Sequence, residues 1–348
     1  MKIFMNSSIK FMAIAVLIAA LATGFAACQK EQIAGADQPK ASDATGWVSD
    51  RNANTIVDIA VSNPDFSILV AAVLKTNLAG FLSNASLNGT VFAPNNAAFE
   101  QLPAPFNSAA SISAISSPST IATLRQIIQY HVVKGRFNAA QLTNPAYPSY
   151  KTAATPNDNL LYIGRSESND VFVNGNVKVI AANIQADNGV IHVIDKVLFF
   201  PTQDIFQIAF SNGNFKALLA ALQKTGLTNL TMTPKIDATV FAPTDAAFAQ
   251  LPAPLNNAAN IRNITDAATI NLLRNVLRYH LVGGRVFSAN LREGISAPTL
   301  LAGNNVNITL VGGPKVKGTG NTTGSNIVLT DLLARNGVIH VIDQVLLP

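Results

Sequence analysis

The chain has 348 residues, is 49% hydrophobic and 12% charged, and carries a formal net charge of +5. Its single cysteine leaves no disulfide pair, so stability must come from an apolar core, which this composition can build. The charge is mild and scattered, which excludes a nucleic-acid protein of the kind that clusters Lys and Arg on one face.

At the N-terminus Lys2 and Lys10 precede an apolar run from Phe11 to Ala22, and small residues then lead to Cys28. That is the layout of a bacterial export signal. It resembles a lipoprotein signal, in which Cys28 is acylated and becomes the first residue; Phe25 departs from the small aliphatic residue usual at its place. The alternative is an ordinary cleaved signal with Cys28 left as a spare thiol. The run is shorter than the roughly 20 residues that span a bilayer, which argues against an uncleaved anchor. Removal of residues 1–27 leaves 321 residues and a net charge of +3, enough for two domains of ordinary size. Residues 28–47 are small, polar and aperiodic and read as a flexible tether, its ends about 25 Å apart. Trp47, the only tryptophan, reads as packed against the edge of the domain that follows.

Each of two domains, 48–201 and 202–348, opens with helical pattern. Ile56, Ile59, Ala60, Phe66, Leu69, Val70, Val73 and Leu74 fall at the three-and-four spacing of one buried face, with Asp65 as a cap; Ile205, Ala209, Phe215, Leu218, Leu219 and Leu222 repeat it. A short strand, Thr90-Val91-Phe92-Ala93, stops at Pro94, and Asn95 or Thr244 then offers a side-chain oxygen to the free amides of a following helix. A longer helix over 119–130 turns Ile121, Leu124, Ile127 and Ile128 inward. The last third of each domain reads as strands joined by Asn-Gly turns at Asn174-Gly175 and Asn188-Gly189. A glycine-rich insertion around Lys315 and Lys317 reads as a mobile hairpin tip. Helices first and strands later give an α+β fold.

The two domains are copies. TVFAPNNAAFEQLPAP from Thr90 returns as TVFAPTDAAFAQLPAP from Thr239, YHVVKGR from Tyr130 as YHLVGGR from Tyr279, and NGVIHVIDKVL from Asn188 as NGVIHVIDQVL from Asn336. The offsets are 149, 149 and 148, so one deletion separates the copies. Stacked repeats use periods of ~20–50 residues, whereas this is a duplicated domain.

These three segments, in order and in both copies, resemble the fasciclin domain family. The resemblance covers about 300 residues. It implies a β-sandwich or wedge flanked by α-helices in each copy. It also implies an exported, non-enzymatic adhesion protein without cofactor or metal, whose partner is an extracellular or cell-surface protein or a polysaccharide. In animal members the tyrosine-histidine segment is linked to integrin recognition. By motif position that segment is Tyr130-His131 and Tyr279-His280, and with Arg136 and Arg285 these are the candidate partner-binding residues. A cysteine-anchored member would sit on the bacterial envelope, at the outer membrane and facing outward. The rival is an envelope ligand-binding lipoprotein of a nutrient uptake system, which needs a concave pocket with a few polar groups.

All four histidines are paired by the duplication, His131 with His280 and His192 with His340. A metal or catalytic role needs three or four convergent ligands or a base with its partners, and each domain supplies only two histidines with no acidic cluster beside them. A structural role for His192 and His340 fits their place in an apolar strand. Asp195 and Asp343 fall on the opposite face of that strand, where they cap or turn the chain. Arg136 and Arg285 read either as cations that end a helix against its dipole or as anchors for an anionic or hydroxyl-rich partner.

Overall fold

The computed structural model describes residues 54–142, 149–154, 160–233 and 236–348. The expected export signal, Cys28, the expected tether and Trp47 lie outside these residues. The first repeat contains α1 (Ile56–Ser62), a 3-10 turn (Pro64–Phe66), α2 (Ser67–Lys75), α3 (Ala79–Leu82), β1 (Gly89–Pro94), α4 (Asn96–Glu100), α5 (Ala109–Ser113) and α6 (Pro118–Tyr130). It continues with β2 (Val132–Lys134), α7 (Ala139–Leu142), β3 (Ser149–Lys151), β4 (Leu160–Arg165), β5 (Val171–Val173), β6 (Val177–Ala186) and β7 (Gly189–Ile194). The second repeat has α8 (Ile205–Ser211), α9 (Lys216–Thr225), α10 (Thr228–Met232), β8 (Ala238–Pro243), α11 (Asp245–Phe248), α12 (Ala258–Arg262) and α13 (Ala267–Tyr279). After β9 (Leu281–Gly283) and a 3-10 turn (Ser288–Asn290) come β10 (Ser296–Pro298), β11 (Asn305–Thr309), β12 (Lys315–Lys317), β13 (Ser325–Ala334) and β14 (Gly337–Ile342). Each repeat is an α+β domain with a seven-stranded sheet.

The helices begin where side chains can satisfy their free amides. Thr55 and Asp58 form a reciprocal capping box on α1, and Asp204 with Gln207 does the same on α8. Asn95 accepts from the Ala98 amide and Thr244 from the Ala247 amide, so these residues start α4 and α11. The apolar pattern from Ile56 to Leu74 does not form one helix. Pro64 disfavours the helical region for the residue before it, and Asn63 is extended (φ −107°, ψ 114°). Its side chain, not that of Asp65, caps the next turn, accepting from the Asp65 amide at 2.9 Å.

In the first sheet the strand order is β2-β1-β7-β6-β5-β4-β3, and in the second β10-β11-β12-β13-β14-β8-β9. β1 runs parallel to β7 with Phe92 opposite His192, and β8 parallel to β14 with Phe241 opposite His340. All four strands are buried along their length. Strands covered on both faces read as continuous apolar runs, which accounts for TVFA and GVIHVI. Each sheet also curls until its ends approach: Val133 bridges Thr152, and Val282 bridges Thr299. The curl encloses a core of its own in the second repeat, where Phe241, Tyr279, Val306, Ile308, Val316 and Ile342 pack together. A larger core fills the space between helices and sheet, around Phe66, Phe99 and Leu124 in the first repeat and Phe215, Phe248 and Leu273 in the second.

Two details differ from the sequence pattern. Gly189 is not the second residue of a turn; it is already in β7 opposite Ala186, and Asp187 and Asn188 make the corner. Lys315–Lys317 is not a tip either, because it forms β12 between β11 and β13. Gly189 and Gly337 are needed where they stand. A Cβ on either would fall inside van der Waals contact of the Gly89 or Ala238 carbonyl oxygen on the parallel neighbour. Gly189→Ala and Gly337→Ala are each expected to lower stability by about 2 kcal/mol, read as a drop in urea midpoint. An unchanged midpoint would mean that the parallel pair separates freely.

Candidate functional site

The polar residues kept by both repeats converge around the end of the long helix and the last strand. His131 follows α6 directly and is 2% exposed. Its Nδ1 lies 2.8 Å from the Ile127 carbonyl, one helical turn back, and its Nε2 accepts from the Leu198 amide at 2.9 Å. An amide can only donate, so Nε2 is the bare nitrogen and Nδ1 carries the hydrogen. His280 repeats this with the Val276 carbonyl at 2.7 Å and the Leu346 amide at 2.9 Å. Burial in apolar surroundings pushes both imidazoles down to about 4, against partial support from the carbonyl.

His192 and His340 lie in β7 and β14 and hold the opposite tautomer. Nε2 of His192 donates to the Phe137 carbonyl at 2.9 Å, while Nδ1 accepts from the Asn183 amide at 3.3 Å. In the second repeat the partners are the Val286 carbonyl at 2.8 Å and the Asp331 amide at 3.3 Å. Each ring stacks on a phenylalanine of the parallel strand, Phe92 or Phe241. Burial lowers both pKa values; beside His340 the Asp331 carboxylate opposes part of that shift. Asp331 also accepts from the Ser288 hydroxyl and amide. It meets His340 through its backbone amide and not its carboxylate, so these three groups form no proton relay.

Tyr130 and Tyr279 are fully buried. Their hydroxyls donate to the Leu160 and Asn305 carbonyls at 2.8 and 2.6 Å, and Tyr279 also accepts from the Thr319 amide. The side chains of Tyr130, His131, Tyr279 and His280 therefore face the interior, and none is presented to a partner in this fold. Arg136 donates to the Asp187 and Ala186 carbonyls at 2.9 and 2.7 Å. Arg285 donates to the Ala334, Gly337 and Arg335 carbonyls and pairs with Asp237 at 2.7 Å, its side chain 7% exposed. Both guanidinium forks thus clamp the corner before the last strand, a third role distinct from helix cap and partner anchor. Asp343 sits just past β14 and accepts from the Asn326 amide at 2.8 Å, while Asp195 ends β7 in the same place, its carbonyl accepting from Gln101.

Two pairs of residues with clear geometry are not evident from sequence pattern. Thr90 and Thr239, wholly buried, donate to the Gly135 and Gly284 carbonyls at 2.7 Å and accept from the Phe137 and Val286 amides at 2.9 and 2.8 Å. Asn188 and Asn336, each 1% exposed, tie the last strand to the start of the domain. Asn336 accepts from the Ile205 amide at 2.9 Å and donates to the Thr231 and Thr233 carbonyls at 2.8 and 3.1 Å; Asn188 does the same with Ile56, Leu82 and Asn84. The only signal was their retention in both copies.

Among the described residues no three His, Cys, Asp or Glu side chains gather as a metal site. Among the described residues, concave surface includes an apolar void in the second repeat, between Phe215, Leu218, Leu277 and His280, and an open groove in the first beside Phe81, Leu87, Val133 and Thr152. No single helix among the described residues is long and apolar enough to cross a membrane.

The sequence profile of the fasciclin domain matches residues 64–201 and 213–348. Protein sll1483 of Synechocystis is 39% identical over 150 residues, which is 43% of this chain and 76% of that protein. The pig transforming growth factor-beta-induced protein ig-h3 is 31% identical over 260 residues, 74% of this chain and 34% of its own length. A fasciclin-like arabinogalactan protein of Arthroderma benhamiae is 26% identical over 312 residues, 87% of this chain and 68% of that one. Among solved structures, a FAS1 domain pair from the insect cell adhesion molecule Fasciclin I covers 84% of this chain and 96% of its own, with 20% identity and a TM-score of 0.38.

Proposed function

Because the chain belongs to the fasciclin domain family, we propose that it is an exported binding protein whose two domains adhere to a large extracellular partner. In this reading residues 1–27 are the export signal, and Cys28 carries the acyl chains that hold the protein to the envelope, at the outer membrane with the domains facing outward. Residues 28–47 let the domains reorient. Domains 48–201 and 202–348 supply the contacts, without cofactor, metal or chemistry. Two domains on one polymer make the second contact intramolecular and raise the effective affinity.

One observation carries the reading: all eight imidazole nitrogens are engaged by backbone groups. A general base or a zinc ligand needs a free nitrogen. The repeated polar residues hold the fold, and binding falls to the outer faces, where the two copies differ.

The test is capture of residues 28–348 by a panel of immobilised matrix proteins and polysaccharides, run beside esterase and glycosidase assays. Retention by at least one polymer with no turnover is expected. Turnover lost on His131→Gln or His192→Gln, or tight uptake of a small solute with no polymer bound, would replace this reading. For the anchor, palmitate incorporation in cells is expected in wild type and absent in Cys28→Ala.

A further inference from the structure

We infer that the outward face of β11, β12 and β13 in the second repeat is a docking surface for an acidic polysaccharide. The inference rests on the adhesive reading above and names the class of partner that one face of one domain takes.

Strand geometry defines the face. In β11 the side chains of Val306 and Ile308 are buried, while Asn305 and Asn307 are exposed and Thr309 is half-exposed. In β12 Val316 is buried between half-exposed Lys315 and exposed Lys317, and in β13 Asn326 is exposed between buried Ser325 and Ile327. Register aligns these outward residues across the sheet: Asn307 stands opposite Lys317, and Thr309 opposite Lys315, which in turn faces Asn326. Neighbouring strands are about 4.8 Å apart, and alternate residues on one strand about 7 Å. The result is a grid of amides, a hydroxyl and ammonium groups, bordered on β13 by the exposed Val328. Gly324, which lies against the Cβ atoms of Lys315 and Lys317, adds no side chain to interrupt it.

The charge on this grid is unanswered. Among the described residues the side chains of Lys315 and Lys317 form no ion pair or hydrogen bond, and the side chain of Asn307 is likewise without an internal partner. The acids at its margin are already engaged, Glu293 by Thr309 and the Leu310 amide, Asp343 by Ser325 and Asn326. The asymmetry extends to whole repeats: residues 202–348 hold eleven Lys and Arg against seven Asp and Glu, a net +4, whereas residues 48–201 hold nine of each. On the matching strands of the first repeat, Tyr162, Gly164 and Phe172 occupy this face, and its one lysine, Lys178, is paired with Asp170 at 2.8 Å.

Such a surface suits an extended chain that carries carboxylates or sulfates among hydroxyls. Lysine donates to the anion, and each asparagine amide both donates to and accepts from hydroxyls. An acidic peptide would instead seek an open strand edge, whereas the backbone groups here are paired within the sheet. An anionic bilayer is held by clusters of about 4–8 basic residues, which two lysines do not provide.

The experiment uses residues 28–348 on immobilised alginate, a polyuronate, and on dextran as the neutral control. Wild type is expected to bind alginate, to elute with salt and to pass through dextran. Lys315→Gln/Lys317→Gln is expected to weaken alginate binding about tenfold, and Asn307→Ala to weaken it further. The exposed first-repeat pair Lys134→Gln/Lys151→Gln leaves it unchanged. Equal binding by the second-repeat double variant, equal retention on dextran, or no alginate binding at all would overturn the inference. If alginate fails while another polymer of the panel is captured, only this face is wrongly assigned; if nothing is captured, the adhesive reading falls with it.

Discussion

Acidification from pH 7 to pH 4 is expected to destabilise both domains, with an onset near pH 6.5 that precedes protonation of their carboxylates. His131 and His280 have folded pKa values near 4 against an ordinary 6.5, because the charged ring would lie in an apolar interior with its Nε2 hydrogen aimed at an amide hydrogen. A folded pKa below the unfolded one means that the unfolded chain binds the proton more tightly. The stabilisation is therefore complete above pH 6.5 and is lost as the pH falls through 4. At one pKa unit per about 1.4 kcal/mol, each ring removes about 3 kcal/mol by pH 4. His192 and His340 add to the loss in the same direction. Domains commonly have about 5–15 kcal/mol to lose, so the effect is large. Urea midpoints measured at half-unit steps should fall steadily from pH 6.5, with a flatter profile in His131→Gln/His280→Gln. A wild-type midpoint constant to pH 4.5 would show that these rings are not buried as described.

Asn336→Ala is expected to cost the second domain about 4 kcal/mol. The substitution removes one acceptor and two donors at a site that is 1% exposed. It leaves the Ile205 amide and the Thr231 and Thr233 carbonyls without their partner. Water reaches such a position poorly, so each orphaned group carries its desolvation cost. Amide exchange should rise across α8 and β14 and remain unchanged across β7. Protection of α8 at the wild-type level would show that this asparagine contributes little. Asn188→Ala should move the effect to α1 and β7.

Much of this architecture is legible in the chain, because the signals that mark it are local. Asn95 and Thr244 follow a strand-ending proline, and side-chain caps act over three residues. The duplicated segments supplied their own comparison, which exposed the strands and the long helices. What stayed hidden depends on distance. Asn188 reaches Leu82, 106 residues back, and Arg285 reaches the Ala334 carbonyl, 49 residues on; no periodicity reports such bonds. The family resemblance marks Tyr130, His131, Tyr279 and His280 as candidate partner-binding residues, while the structure turns their side chains inward. The reason is visible in hindsight: a residue kept by two diverging copies for bonds to backbone is indistinguishable, by spacing alone, from one kept for a ligand. The lysines of β12 depart from their sequence pattern for the opposite reason. Glycine on either side suggested a loose tip, but ladder bonds to β11 and β13 fix the segment as a strand.

A histidine-labelled sample of residues 28–348 offers the sharpest check, through long-range proton–nitrogen correlation spectra of its imidazoles. Two neutral rings protonated at Nδ1 and two at Nε2 should appear, unaltered between pH 8 and 6 and unmoved by zinc. One ring that titrates near 6.5, or shifts when zinc is added, would mean that an imidazole is free for chemistry and that the domains are more than surfaces.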